Sequence, residues 1–150
     1  MLGIPAAPIR AFVRSRPGLE APDALLGWVP MLYEPGQKLS KQQGVTCYAH
    51  PMRPESKGSV HIKVADPAGQ PAIQYNFLST APDAEVTVAA IRIVRALMTA
   101  PAMRDLQVTE LLPGPEKETD EAILDWVKSA AETTYHPVGT CKMGVDPMAV

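Results

Sequence analysis

The apolar residues of this chain change their spacing once, near Ser79, and that switch limits the fold more than any other feature. Before it, apolar and polar residues alternate, the period-2 pattern of strands that bury one face. Val60, Ile62 and Val64 oppose Ser59, His61 and Lys63, while Ile73, Tyr75 and Phe77 oppose Ala72, Gln74 and Asn76. Ala65-Asp-Pro-Ala-Gly-Gln70 between them has turn composition, so the two runs are expected to pair as an antiparallel hairpin. Earlier, Val45, Cys47 and Ala49 alternate with Thr46, Tyr48 and His50 until Pro51 and Pro54 stop the run. Gly27 to Tyr33 is apolar but contains Pro30, which cannot donate to a ladder, so an edge strand or a bulge is expected there.

From Ser79 on, Val86, Ala89, Ala90, Ile93, Val94, Leu97 and Met98 recur at the spacing of one helical face. Ser79 or Thr80 caps that helix, Pro82 and Asp83 lie in its first turn, and Pro101 ends it. Arg92 and Arg95 are expected on its wetted side. A second helix is expected from about Asp120 to Ala131, capped by Thr119, with Asp120 and Glu121 near its positive end and Ile123, Leu124 and Val127 buried. Trp126 fits core or rim equally well, and Pro113-Gly-Pro115 reads as a stiff turn. Strands followed by helices, not alternating with them, predict an α+β fold, an antiparallel sheet with helices packed on one face.

Charge and cysteine usage exclude some functions. A net charge of −2 without clustered Lys and Arg disfavours nucleic acid and anionic membranes as partners. The longest apolar stretch, around Ala21 to Tyr33, is broken by Pro22, Asp23 and Pro30, so no transmembrane segment is expected. Met1 to Phe12 has Arg10 as its only charged side chain, behind two prolines, unlike a secretory leader, and a cytoplasmic location is expected. Cys47 and Cys141 are too far apart to form a dense disulfide scaffold and read as free thiols.

The chemistry concentrates near the C-terminal end. In Thr133-Thr-Tyr-His-Pro-Val-Gly-Thr-Cys-Lys-Met-Gly144, Pro137 biases His136 toward extended backbone, on a glycine-bounded loop suited to facing a pocket. An imidazole is the side chain best matched to taking a proton from a substrate at neutral pH. Taken alone, a lone histidine such as His136 is more often a satisfied structural residue than a base. Cys141 adds a thiol nucleophile activated by His136, or a metal pair completed by Cys47, His50 or His61. No second tight ligand pair exists, and no metal site is expected.

His136-Pro-Val-Gly-Thr-Cys-Lys-Met-Gly-Val-Asp146 with Ala149-Val150 resembles the C-terminal signature of the glucose-methanol-choline (GMC) oxidoreductases. Arg53-Pro-Glu-Ser-Lys-Gly-Ser-Val60, Ala65-Asp-Pro67, Pro71-x-Ile73 and Asn76-Phe-Leu-Ser79 follow that family's order, so the resemblance covers roughly Phe12 to Val150. It implies the partial substrate-binding domain of an FAD-dependent alcohol dehydrogenase or oxidase over residues 1–140. Residues 141–150 are then the start of a segment returning to an FAD-binding domain. It also implies a small-molecule alcohol substrate whose hydroxyl proton goes to His136 while its α-carbon gives hydride to the flavin N5. The family's G-x-G-x-x-G turn is missing, and no residue here is assigned to binding FAD. The chain is therefore expected to be truncated at both ends, lacking the FAD-binding domain and inactive by itself. The alternative is a non-catalytic remnant serving as a binding or interaction module. His50 and His61 match no catalytic position of the family, and the eight aromatic residues place no cage for a quaternary ammonium.

Overall fold

Ten short elements make up the fold in a computed structural model that describes residues 7–34, 36 and 38–150. Strands β1 (Ile9–Val13), β2 (Ala24–Val29), β3 (Tyr33–Glu34), β4 (Lys38–Leu39), β5 (Thr46–Pro51), β6 (Ser59–His61) and β7 (Ala72–Gln74) come first. Helix α1 (Ala81–Met98), a short 3-10 helix (Pro101–Leu106) and helix α2 (Asp120–Ala130) follow. The α+β order predicted from the change of period is the order observed. The expectation of no leader in Met1–Phe12 falls largely on residues 1–6, outside the described residues. No helix among the described residues is long and apolar enough to cross a membrane.

The main sheet is antiparallel, in the order β1-β2-β5. Its middle strand corrects the expectation for Gly27–Tyr33. The strand starts earlier, at Ala24, ends at Val29, and leaves Pro30 just outside. Because Ala24–Val29 contains no proline, every residue in it can both donate and accept, so the segment pairs on both sides and is not an edge. Strand β1 had no clear signal, since apolar Phe12 on its exposed side breaks the alternation of Ile9, Ala11 and Val13 with Arg10. On the inner face Ala24 and Leu26 are fully buried with Ala90 of α1, and Ala11, Val13, Ala49, Val86 and Ile93 pack around them. On the outer face Gly27 lies directly opposite Tyr48, and the Tyr48 ring occupies the space a Cβ at 27 would need.

Helix α1 has two apolar sides. Ala90, Val86, Ile93 and Val94 face the sheet, while Val88 joins Ile123 and Val127 of α2 in a second core flanked by Leu78, Ile91, Leu124 and Trp126. Trp126 is therefore rim, half-buried against that core. At the start of α2 the Thr119 hydroxyl oxygen accepts the Ala122 N–H at 3.1 Å, as its cap position predicts.

The expectation of a wetted face holds for Arg92, whose side chain is 46 % exposed, and is overturned for Arg95, at 21 %. Residues 107–119 fold back over the polar side of α1. There the Arg95 guanidinium donates to Glu110 at 2.7 Å and to the carbonyls of Lys117 and Gly114 at 2.7 and 2.9 Å. Arg92 pairs with Asp120 and donates to the Glu118 carbonyl at 2.9 Å. Helical spacing reveals which side of a helix is apolar, but not which loop will cover its charges.

The expected antiparallel β6–β7 hairpin forms, with Val60 opposite Ile73, but each strand is only three residues long. Val60 and Ile73 share a face left about half exposed among the described residues. Beyond β7 the exposed Tyr75 and Phe77 stack their rings, centroids 4.9 Å apart.

Candidate active site

After α2 the chain cannot continue as helix. Ala131 is already extended, and the Thr133 hydroxyl accepts the N–H of Tyr135, whose φ of 59° is left-handed. That local bond turns the backbone and delivers His136 to the surface, next to a proline that disfavours helical backbone there. Gly139 follows at φ 96°, a conformation that favours glycine. Beyond it the strap closes on itself. Lys142 Nζ donates to Asp146 at 2.6 Å, Met148 N–H donates to the same carboxylate at 3.0 Å, and Val150 N–H donates to the Lys142 carbonyl at 3.1 Å. The Lys142 ammonium, with the Met148 N–H, holds the Asp146 carboxyl below the usual carboxylate range. His136 thus sits on an exposed strap ordered from both sides. Its ring makes no hydrogen bond among the described residues.

The remaining sequence candidates are not gathered around it. Cys47 is half-buried on β5 opposite Trp28, and burial pushes its thiol up to about 11 against a weaker opposing hydrogen bond from Trp28. A thiol so raised stays protonated at neutral pH, which disfavours it as a nucleophile. Cys141 is exposed on the strap, and no hydrogen bond joins it to His136. His50 is half-buried on β5 with Nδ1 3.2 Å from the Pro51 carbonyl, and His61 is exposed on β6. Among the described residues no three His, Cys, Asp or Glu side chains come together as a metal site.

Sequence reasoning placed Asp83 in the first turn of α1 but missed its role. Its carboxylate, 4 % exposed, accepts the Glu55 N–H on one oxygen at 2.8 Å and the Ser56 N–H on the other at 2.9 Å. Burial alone would raise this carboxyl, but the Ser56 hydroxyl and the two backbone N–H groups together outweigh it and hold it low. The available signal was Thr80-x-x-Asp83, the spacing of a capping box whose acid here has been diverted to a distant loop.

Two open grooves mark the surface. One of about 280 Å³ between α1 and α2 is lined by Val88, Ala89, Arg92, Asp120 and Leu124; one of about 240 Å³ beside the β1–β2 turn is lined by Ser15, Arg16, Asp23, Pro82 and Val86. Neither includes His136. The residues present do not fit the pyrophosphate of FAD. A phosphate cradle needs bare N–H groups at a helix N-terminus, whereas α1 and α2 carry Asp83, and Asp120 with Glu121, in their first turns. No residue of this chain is therefore assigned to holding that cofactor.

An antiparallel sheet backed on one face by helices, followed by a histidine-bearing strap, defines an α+β layer also present in solved oxidases. Pyridoxine 4-oxidase from Mesorbium loti superposes with a TM-score of 0.79 at 24% identity, over 94% of this chain and 28% of that one. A formate oxidase from Aspergillus oryzae RIB40 gives 0.67 at 27% identity, over 83% of this chain and 22% of that one. The chain belongs to the GMC oxidoreductase family, whose profile matches residues 54–150. Among similar curated proteins is the oxygen-dependent choline dehydrogenase of Staphylococcus aureus, strains JH9 and Newman included, 41% identical over 142 residues. That alignment takes in 93% of this chain and 25% of the relative, so the chain spans about a quarter of the curated relatives' length.

Proposed function

We propose that this chain is the substrate-side part of an FAD-dependent oxidoreductase acting on CH–OH groups, with residues 1–140 as the substrate-binding layer, 141–150 leading out of it, and His136 as the base. One observation carries the reading. The family's His-Pro-Val-Gly-Thr-Cys-Lys-Met-Gly run is present, and its histidine stands on an exposed strap with a ring that makes no hydrogen bond among the described residues. A ring nitrogen free of internal partners can accept the hydroxyl proton of an alcohol. Losing that proton gives the substrate oxygen alkoxide character, which drives hydride from the α-carbon and leaves an aldehyde or ketone. FAD, held by sequence outside these residues, supplies the hydride acceptor. Tyr135 and Val138 flank His136 and are exposed at 71 % and 92 %. In the assembled site they shield the proton transfer from water.

The choline named for the relatives makes it the first substrate to try. The test replaces the matching quarter of the S. aureus dehydrogenase with this chain and measures choline oxidation and flavin content. The expected result is a flavin-loaded, active chimera in which His136→Ala lowers kcat by about 10² to 10⁴ while flavin content stays unchanged. Unaltered turnover in His136→Ala would remove His136 from the mechanism. A flavin-loaded chimera with no turnover of any alcohol would instead support a non-catalytic binding module.

A further inference from the structure

We infer that Asp83 is a latch through which α1 sets the position of the β6–β7 hairpin, so that losing it frees the hairpin while the two cores stay folded. The hairpin stands on two feet, residues 52–58 leaving β5 and residues 76–80 entering α1. Asp83 holds the first foot with both carboxylate oxygens, through the N–H groups of Glu55 and Ser56. The first foot then holds the second. Ser79 N–H donates to Ser56 Oγ at 3.0 Å, and Asn76 Nδ2 donates to the Lys57 carbonyl at 3.1 Å.

Two features show that this joint is built for close crossing. A Cβ at Gly58 would lie 2.8 Å from the Tyr75 carbonyl oxygen and still closer to that of Gln74, so only glycine lets the feet pass. On the other foot Asn76 and Leu78 are left-handed, at φ 52° and 56°. Such a conformation costs free energy in a non-glycine residue and persists where neighbours enforce it. Here Asn76 is held by its bond to Lys57, and Leu78 packs on the second core.

Beyond its feet the hairpin has little hold on the chain, since all its strand residues except Ser59 are exposed. The sheet core around Leu26 and the helix core around Ile123 contain no hairpin strand residue. An acid at the third position of a helix ordinarily turns back to the cap N–H. Asp83 instead reaches residues 27 and 28 positions earlier, which couples the start of α1 to the hairpin and to little else.

Residue-resolved hydrogen exchange by NMR on the 150-residue chain tests this. In Asp83→Asn, exchange in β6 and β7 should rise by about tenfold or more, as expected when a net hydrogen bond at the base of a local opening unit is lost, while β2 and α2 keep their protection. Ser56→Ala, a milder change at the same joint, should act in the same direction and covers the case in which Asp83→Asn fails to fold. Gly58→Ala should free the hairpin with the Glu55 and Ser56 amides still protected, because it opens the joint beyond the latch. Unchanged exchange in β6 and β7 of Asp83→Asn would overturn the inference. So would an equal rise in β2, α2 and the hairpin, which would mean that Asp83 supports the whole fold alike.

Discussion

Replacing Arg95 by methionine keeps most of the side chain's length and apolar stem while removing every donor of its guanidinium. In the native structure that group donates to both Glu110 carboxylate oxygens and to the carbonyls of Gly114 and Lys117. Glu110 also accepts the Gly114 N–H at 3.2 Å, so the arginine, the glutamate and the loop form one network. The pair is 21 % and 28 % exposed, between two known limits. Breaking a fully buried pair costs about 3–5 kcal/mol, and an exposed pair is worth about 0–1 kcal/mol. Partial screening places Arg95→Met at about 1–3 kcal/mol. For a domain of this size that lowers Tm by roughly 3–10 °C. Urea unfolding followed by circular dichroism gives the free energy, and a double-mutant cycle with Glu110→Gln should return a coupling of at least about 1 kcal/mol. Arg95→Lys should recover less than half the loss, since an ammonium cannot span the glutamate and two carbonyls at once. A change within about 0.5 kcal/mol for Arg95→Met would return Arg95 to the solvated face its helical position suggested.

Two other expectations concern titration. Burial alone would raise the Asp23 and Asp83 carboxyls, yet the Ser15 hydroxyl and N–H hold the first low, and the Ser56 hydroxyl with two backbone N–H groups holds the second low. A depressed carboxyl contributes stability in full above its unfolded value near about 4 and loses it as pH falls through the folded value. Unfolding free energy should therefore be nearly flat from neutral pH to about 5 and drop below about 4, with a smaller acid-side drop in Asp83→Asn; equal drops in both would assign the loss to other groups. With its thiol at about 11, Cys47 should resist iodoacetamide in the folded chain at neutral pH while the exposed Cys141 reacts, as intact-mass spectrometry would read; comparable labelling rates would show that Cys47 is neither buried nor raised.

What could be read ahead of the structure depended on how local its cause was. The two helices were legible because Val86 to Met98 and Ile123 to Val127 carry a 3.6-residue period and Thr119 caps its helix by a bond three residues long. The antiparallel hairpin was legible for a similar reason, a turn flanked by two alternating runs. Long-range pairings left no such trace. Strand β1 finds β2 only through the tertiary ladder, and Arg95 meets Glu110 only because the chain doubles back after Leu106. At the candidate site the glycine-bounded loop that carries His136 was legible from Gly139 and Gly144. The pocket expected around it was not, because the strap is exposed and the side chains on this chain do not enclose it.

The three-stranded sheet is bounded on both sides by strands whose outer rows of N–H and C=O groups pair with no strand among the described residues. Helix α1 covers a face of that sheet and neither border. On β1 the border runs beside exposed Ile9 and Phe12, with Arg10 as the only charge to discourage a stray strand from docking. Handled in isolation, the chain is accordingly a template for growth. Its solubility at high concentration will be governed less by net charge or by the strength of its cores than by how well those two borders are kept occupied.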